Sequence, residues 1–315
     1  MESIIFSGTA HPEFARKVSE HSNIPLGRTE INRFKDGEIW VKFVDNVRLK
    51  HVFLIQPTFP PAENLLELLI MIDAAKRASA WKITVVIPYY GYARQDRKDE
   101  PRVAITARLI ADMLESAGAS RVLTMDLHVS QIQGFFNIPV DHIYYSMILA
   151  DKIRDIGITD LVVVSPDVGG VKMARAYSKK LKADLAIIDK RRPDKNKVDI
   201  MNIIGNIEGK NVILVDDIID TGGTVVKAAE ALKKNGAKNI FAACSHPLFS
   251  ADAVEKLRDS VIEKIFVSDT IPLGDKIARS GNKIEVTTTT KLFANAVKNI
   301  ATGESVSSLF TEDDK

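Results

Sequence analysis

Along this chain, short runs rich in β-branched and apolar residues alternate with longer stretches in which apolar positions recur every three or four residues. The short runs predict strands over 3–7, 52–56, 83–87 and 122–125, and the longer ones predict helices over 62–78 and 105–117. After the helical "SMILADKIRDIG" the alternation starts again, with strands expected at 161–165, 185–188, 212–215, 240–243 and 265–267. Strands separated by helices in this order are βα units of a parallel sheet. Two segments, "SAGASRVLTMDLH" and "KNGAKNIFAACSH", read alike as helix end, glycine stop, strand and histidine. The echo fits two similar α/β domains, 1–144 and 145–289, with a boundary near Tyr144; the segment from about 290 to 315 is expected to pack back on the first. The last stretch, "ATGESVSSLFTEDDK", is polar and expected to fray, and "TTTT" at 287–290 is β-prone without being diagnostic.

Composition narrows the class. A chain of 315 residues suffices for one large or two ordinary α/β domains. Its 43 basic and 41 acidic residues leave a net charge of +2, so no global basic field points to nucleic acid, and anion binding has to come from local clusters. The single cysteine, Cys244, rules out an internal disulfide and suits a reducing compartment; within "IFAACS" it reads as a small buried residue. The start, "MESIIFSGTAHPEF", lacks the basic flank and apolar core of a signal peptide, and no run of about eighteen apolar residues occurs. A cytoplasmic location without membrane contact is the expectation.

The densest chemistry lies in "VILVDDIIDTGGTVVKAAEALKKNGA". An apolar strand is expected to end in Asp216 and Asp217, followed by a short turn and a helix from near Thr224. Ligands of open α/β sheets sit at the carboxyl ends of strands. Gly222 and Gly223 let backbone amides come close to a ligand, and the helix start adds free N–H groups and the positive dipole end. Asp220, Thr221 and Thr224 can cap the helix or meet a phosphate. Carboxylates beside a phosphate cradle make sense when the ligand also carries sugar hydroxyls, whose hydrogen bonds they accept. A capped turn with solvated acids is the plain alternative for a bare "DD" pair. The whole string "VDDIIDTGGT" resembles the phosphoribosyl pyrophosphate loop of type I phosphoribosyltransferases and their relatives. That resemblance implies ribose 5-phosphate at Asp220, Thr221, Gly222, Gly223 and Thr224, with Asp216 and Asp217 near the ribose hydroxyls.

No G-x-x-x-x-G-K-[ST] loop occurs, and "GNIEGKN" at 205–211 has the wrong spacing. Three other segments could meet a nucleotide. "RFKDGEIWV" is a turn in which Phe34 could stack on adenine while Asp36 and Glu38, flanking Gly37, accept its amino hydrogens; an ordinary β-turn explains "KDGE" equally well. "PYYGYARQDRKD" is a strand exit crowded with Tyr, Arg and Gln, suited to phosphates, or to solvent or a subunit contact. "MDLHVSQIQGFF" puts Asp126 and His128 at a strand's carboxyl end, where a metal role becomes reasonable for a histidine that is otherwise structural.

In order and spacing these segments resemble the ribose-phosphate pyrophosphokinases, over essentially the whole chain and including "GFFNIPVDH" and "GESVSSLF". The resemblance implies two type I phosphoribosyltransferase-like domains, each a mainly parallel sheet flanked by helices. It implies ATP contacts at Phe34, Asp36, Gly37, Glu38, Arg94 and Gln95, and magnesium ligation at His128 and at Asp167 in "VVSPDVGGVKMAR". In "IIDKRRPDKNKVDIMNIIG" the crowded Lys190, Arg191, Arg192, Lys195 and Lys197 read blandly as a solvated hairpin tip. The resemblance instead places Lys190 and Arg192 on a flexible catalytic loop, Arg192 also near ribose 5-phosphate. The implied reaction is attack by the anomeric hydroxyl of ribose 5-phosphate on the β-phosphorus of Mg·ATP, with AMP leaving. The family also implies a homo-oligomer, a hexamer built from dimers, in which the adenine-side turn reaches a neighbour's site. Inorganic phosphate as activator and ADP as inhibitor are implied at Arg48, Ser79, Arg102, Ser305 and Ser307, although Val103 and Ala104 depart from the usual loop. Two alternatives stand beside this reading: a phosphoribosyltransferase that consumes the product, and a non-catalytic regulatory relative. Retention of Lys190, Arg192, His128 and the loop acids argues against the second, and the full-length match with its "DLH" segment against the first.

Overall fold

The computed structural model describes residues 2–191 and 200–310 and divides the chain into two compact units. The first comprises Met1–Tyr144 together with Thr270–Pro272 and Thr289–Leu309. Its elements are β1 (Ser3–Ser7), α1 (Pro12–Ser22), β2 (Thr29–Arg33), β3 (Ile39–Phe43), β4 (His51–Ile55), α2 (Glu63–Arg77), β5 (Lys82–Ile87), α3 (Thr106–Ala117), β6 (Arg121–Met125) and β7 (Val140–Ile143). The second runs through α4 (Ser146–Ile156), β8 (Leu161–Ser165), α5 (Val171–Leu181), β9 (Asp184–Arg191), β10 (Ile200–Ile204), β11 (Asn211–Ile219), α6 (Gly223–Lys234), β12 (Ile240–Pro247), α7 (Ala253–Asp259), β13 (Lys264–Ser268), α8 (Lys276–Arg279) and β14 (Ile284–Thr287). The helix α9 (Thr290–Thr302) belongs to the first unit.

In the first unit a five-stranded parallel sheet has the order β1-β4-β5-β6-β7. All five residues of β4 are buried, as expected of a strand covered on both faces. Val52 and Leu54 join a core with Leu68, Met71 and Ile72 of α2 and Ala107, Ile110 and Leu114 of α3. Phe53 and Ile55, one position out of phase, point to the opposite face. On α1, Phe14 packs edge-on against Phe293 of α9, with ring centroids 5.2 Å apart. β2 and β3 form a separate antiparallel hairpin, which the sequence reading took only as a turn. Its inward residues Ile31, Val41 and Phe43 pack on the core, while Trp40 and the tip residue Phe34 stay 37% and 56% exposed.

The second unit has a seven-stranded sheet, β10-β9-β8-β11-β12-β13-β14, parallel throughout except for the edge strand β10. The apolar runs of β8, β11, β12 and β13 meet Val225, Ala228, Ala229 and Leu232 of α6 and Val254 and Leu257 of α7 in one core. Cys244 is buried within it. Each fully buried Val, Leu or Ile in such a core contributes roughly 1.5–3 kcal/mol. Among the described residues no helix is long and apolar enough to cross a membrane.

Inside the first unit a buried ring couples stability to pH. His51 is 3% exposed, stacks on Phe53 at 4.2 Å, and shares a 2.8 Å hydrogen bond between Nε2 and Thr84 Oγ1. Burial, and then the charges of Lys82 and Arg121, lower its pKa from 6.5 to about 4. Between these values the unfolded chain takes up a proton that the folded one refuses, so stability falls as the pH drops from 6.5 toward 4. Above 6.5 this ring contributes no slope. We expect His51→Gln to remove up to one proton from the uptake linked to unfolding in that window, measured as a shallower pH dependence of the unfolding midpoint.

Candidate active site

Strand lengths create the site of the second unit. β11 pairs with β8 only as far as Leu214, opposite Val164, yet its pairing with β12 continues to Ile219, opposite Pro247. From Val215 to Ile219 the strand therefore has a neighbour on one side only. Asp216 and Asp217 lie inside this extension, and the strand runs on to Ile219 instead of ending in them as the sequence reading had it. Continued pairing with β12 explains the difference: Asp216 sits in register with Cys244 and Ile218 with His246. Asp217 is 7% exposed, and Asp216 is partly buried.

The two acids are strongly linked. Asp217 N–H donates to Asp216 Oδ1 at 2.9 Å. Burial pushes the Asp216 carboxyl well above the usual carboxylate range, aided by the charge of Asp217 and, less, that of Asp167. Asp167 follows β8, the strand that stops short, and is exposed. Its Oδ1 accepts from Gly170 N–H at 2.9 Å, and its backbone oxygen accepts from Ser165 Oγ at 2.7 Å, so the turn fixes the carboxylate.

After β11 the chain turns through Asp220 and Thr221 into α6. Gly222 takes φ 73°, the left-handed region that glycine enters without steric cost. A side chain at Gly223 would meet nothing within 4 Å, and Thr221 and Thr224 are exposed, so the helix start opens to solvent. The N-cap residue of α6 is Gly222, which has no side chain to cap it. The first amides of the helix remain available to an anion. The segment after β12 supports the loop from behind: Phe249 N–H donates to Ile219 O at 3.1 Å and Ser250 N–H to Asp220 O at 2.9 Å. Sequence reasoning did not single out these two residues. Lys190 lies on β9, its backbone paired with Met201 of β10 beyond the end of β8. Arg192 lies outside the described residues.

In the first unit the candidate groups fall on three segments. The hairpin tip closes on itself: Phe34 N–H donates to Glu38 O and Gly37 N–H to Phe34 O, both at 2.9 Å, and Glu38 N–H to Asp36 Oδ1 at 3.0 Å. An open hollow of about 440 Å³ beside it is lined by Asn32, Arg33, Phe34 and Trp40. The tip links the two strands of the separate hairpin, whereas the Arg94–Gln95 segment follows β5 of the five-stranded sheet. Arg94 is exposed; Gln95 is tied to the start of α3, its Oε1 accepting from Thr106 Oγ1 at 2.5 Å and its backbone oxygen from Ala107 N–H at 3.1 Å. His128 is exposed on the turn after β6.

Of the regulatory candidates, Arg48 and Ser79 share one corner, where Leu49 N–H donates to Ser79 O at 2.9 Å. Arg102, Ser305 and Ser307 are exposed on other segments.

A residue that sequence reasoning passed over governs the Arg94–Gln95 segment. Gly91 N–H donates to Thr58 Oγ1 at 2.8 Å, and a Cβ at Gly91 would lie 2.2 Å from the backbone oxygen of Thr58. Only the glycine in "YYGY" hinted at this approach.

Comparison with known proteins agrees with the geometry. Residues 3–118 match the model of the N-terminal domain of ribose phosphate pyrophosphokinase, and residues 193–311 that of the phosphoribosyl synthetase-associated domain. The chain is 53% identical over 307 residues to a ribose-phosphate pyrophosphokinase of Chlorobaculum tepidum, covering 97% of this chain and 94% of the relative. It is likewise 53% identical over 311 residues to one of Ralstonia nicotianae, covering 98% of each. The crystal structure of phosphoribosylpyrophosphate synthetase from Mycobacterium smegmatis superposes with a TM-score of 0.89 at 37% identity, over 96% of this chain and all of that one.

Because the obstacle at Gly91 is backbone, Gly91→Ala has to move the exit of β5. Overpacking of this kind costs about 1–3 kcal/mol. We expect a lower thermal unfolding midpoint and weaker ATP binding by titration calorimetry, while Tyr92→Ala, at an exposed position, leaves the midpoint nearly unchanged.

Proposed function

The chain belongs to the ribose-phosphate pyrophosphokinase family, and from that premise we propose how its own residues carry out the family's reaction. It is an enzyme that transfers the β,γ-pyrophosphoryl group of ATP to the C1 hydroxyl of ribose 5-phosphate, giving 5-phospho-α-D-ribose 1-diphosphate and AMP. A new bond forms between O1 of the sugar and the β-phosphorus. The bond from that phosphorus to the α,β-bridging oxygen breaks, and the hydroxyl proton is released.

One observation carries the assignment of the sugar site: a partly buried and a buried acid on the overhanging end of β11 run straight into a helix start that opens to solvent. The amides and hydroxyls from Asp220 to Thr224 receive the 5′-phosphate. Asp216 and Asp217 accept hydrogen bonds from the ribose hydroxyls. This arrangement holds C1 rigidly, and positioning of that kind supplies a large share of catalysis in phosphoryl transfer.

ATP is assigned to Arg94 and Gln95 and to the Phe34–Glu38 tip, including Asp36 and Gly37. The exposed Phe34 beside an open hollow supports an adenine contact, and the self-contained tip suits a contact made across copies in a homo-oligomer, a hexamer built from dimers. Among the described residues no three His, Cys, Asp or Glu side chains gather into a metal cage. That fits magnesium arriving on the nucleotide, since this ion keeps waters and takes few protein ligands. Asp167, a carboxylate fixed by Gly170, and the exposed His128 are the residues assigned to it. Bound there, magnesium would supply Lewis-acid neutralisation of charge on the transferred group.

Lys190 and Arg192 are assigned to neutralise charge that develops on the pyrophosphoryl group. The position of Lys190 on β9, next to the short β8, supports this role. Inorganic phosphate is assigned as activator, and ADP as inhibitor, at Arg48, Ser79, Arg102, Ser305 and Ser307; the shared corner of the first two supports part of that site.

The test is direct. The purified chain, given ATP, magnesium and ribose 5-phosphate alone, is expected to yield AMP and the diphosphorylated sugar by mass spectrometry. Lys190→Ala should lower kcat by a factor of about 10² or more at saturating ATP. Normal turnover in that variant would remove Lys190 from the mechanism.

A further inference from the structure

The turn that presents His128 is held by a side chain that the assignments above do not use. At Asp126 the backbone takes φ 34°, in the left-handed region uncommon for a non-glycine residue. Asp126 N–H still donates to Ile143 O at 3.1 Å, completing the pairing of β6 with β7. The next amide, Leu127 N–H, donates instead to His142 Nε2 at 2.9 Å. Donor and acceptor residues are both buried, Leu127 at 5% exposure and His142 at 7%.

The left-handed turn at Asp126 thus brings the following amide onto an imidazole of β7. Acceptance at Nε2 fixes the tautomer of a neutral ring, with its proton on Nδ1. The ring has little freedom to leave: it is buried, the Gln133 side chain lies against it, and the Tyr144 ring is centred 4.5 Å away. Gln133 comes from the 3-10 turn Ser130–Phe135, so His142 ties the segments on both sides of His128 to one strand.

We propose that His142 is a positioning residue for His128: its Nε2 holds the Leu127 amide and so fixes the turn from which the His128 ring reaches the nucleotide site. The proposal rests on the reading of His128 given above. It extends a general pattern in which partners behind a ligand set its direction, and in which their loss costs about tenfold or more in metal affinity.

Two measurements test it on the full-length enzyme. Amide hydrogen exchange over residues 125–129 reads the hydrogen bond itself, and the magnesium concentration for half-maximal AMP formation reads its consequence. His142→Phe keeps the ring volume but offers no acceptor; His142→Gln keeps an acceptor near the position of Nε2. The expected result is exchange at Leu127 faster by about tenfold in His142→Phe, a half-activating magnesium concentration raised by about tenfold, and an unchanged KM for ribose 5-phosphate. His142→Gln should stay within about threefold of the parent on all three. Unchanged exchange in His142→Phe would overturn the proposal, as would faster exchange without any change in magnesium dependence. His142→Leu replaces His142→Phe if protection is lost throughout β6 and β7. A parallel His128→Ala variant keeps the two readings apart. Should that variant show normal magnesium dependence, the role given to His128 falls, and the exchange result alone then decides whether His142 sets the turn.

Discussion

The overhang of β11 is the constraint from which the chemistry of the second unit follows. A strand paired on both sides offers its polar backbone to its neighbours and its side chains to two covering layers. Once β8 stops, the same strand keeps its course through β12 but gains an open flank. Acids that would be intolerable in the middle of the sheet can sit on that extension, Asp216 partly buried and Asp217 buried. The loop that follows inherits a fixed starting point, strengthened by the amides of Phe249 and Ser250. Rigid support on one side and a vacancy on the other is what a site for a small, charged sugar requires.

The first unit has a sheet of the same kind but handles its ligand-facing edge differently. There the candidate groups come from separate excursions: a hairpin outside the main sheet, the exit of β5 pinned by Gly91, and the turn after β6. None of these is a cradle of consecutive amides. Each instead depends on a tertiary contact that holds a short irregular segment in one shape. The two units thus present different kinds of surface, one continuous turn in one case and several separate segments in the other.

Much of the fold was legible because doubly covered parallel strands are written as continuous apolar runs, and β1 and β8 fall where those runs predict. The strands missed or cut short are those whose residues do not alternate cleanly or do not stay apolar. β11 carries two acids, so the pattern breaks while the backbone pairing continues. β7 is only "VDHI", and β10 emerges from a strongly basic stretch. The hairpin of β2 and β3 did leave a signal, Asp36–Gly37 between alternating inward residues. For the site, consecutive motifs such as "DDIIDTGGT" can be read because their chemistry is local. The roles of Gly91 and His142 cannot, because each is set by a partner distant in sequence, Thr58 for one and Leu127 for the other.

Cys244 stands in register with Asp216, one strand away from the acids of the sugar site, and burial pushes its thiol well above its ordinary pKa. Such a sulfur stays protonated and shielded while the sheet is intact. The chain therefore carries one silent chemical clock: a thiol reagent can reach it only when β12 lets go, and the rate of modification then counts openings of the very strand on which the sugar site leans.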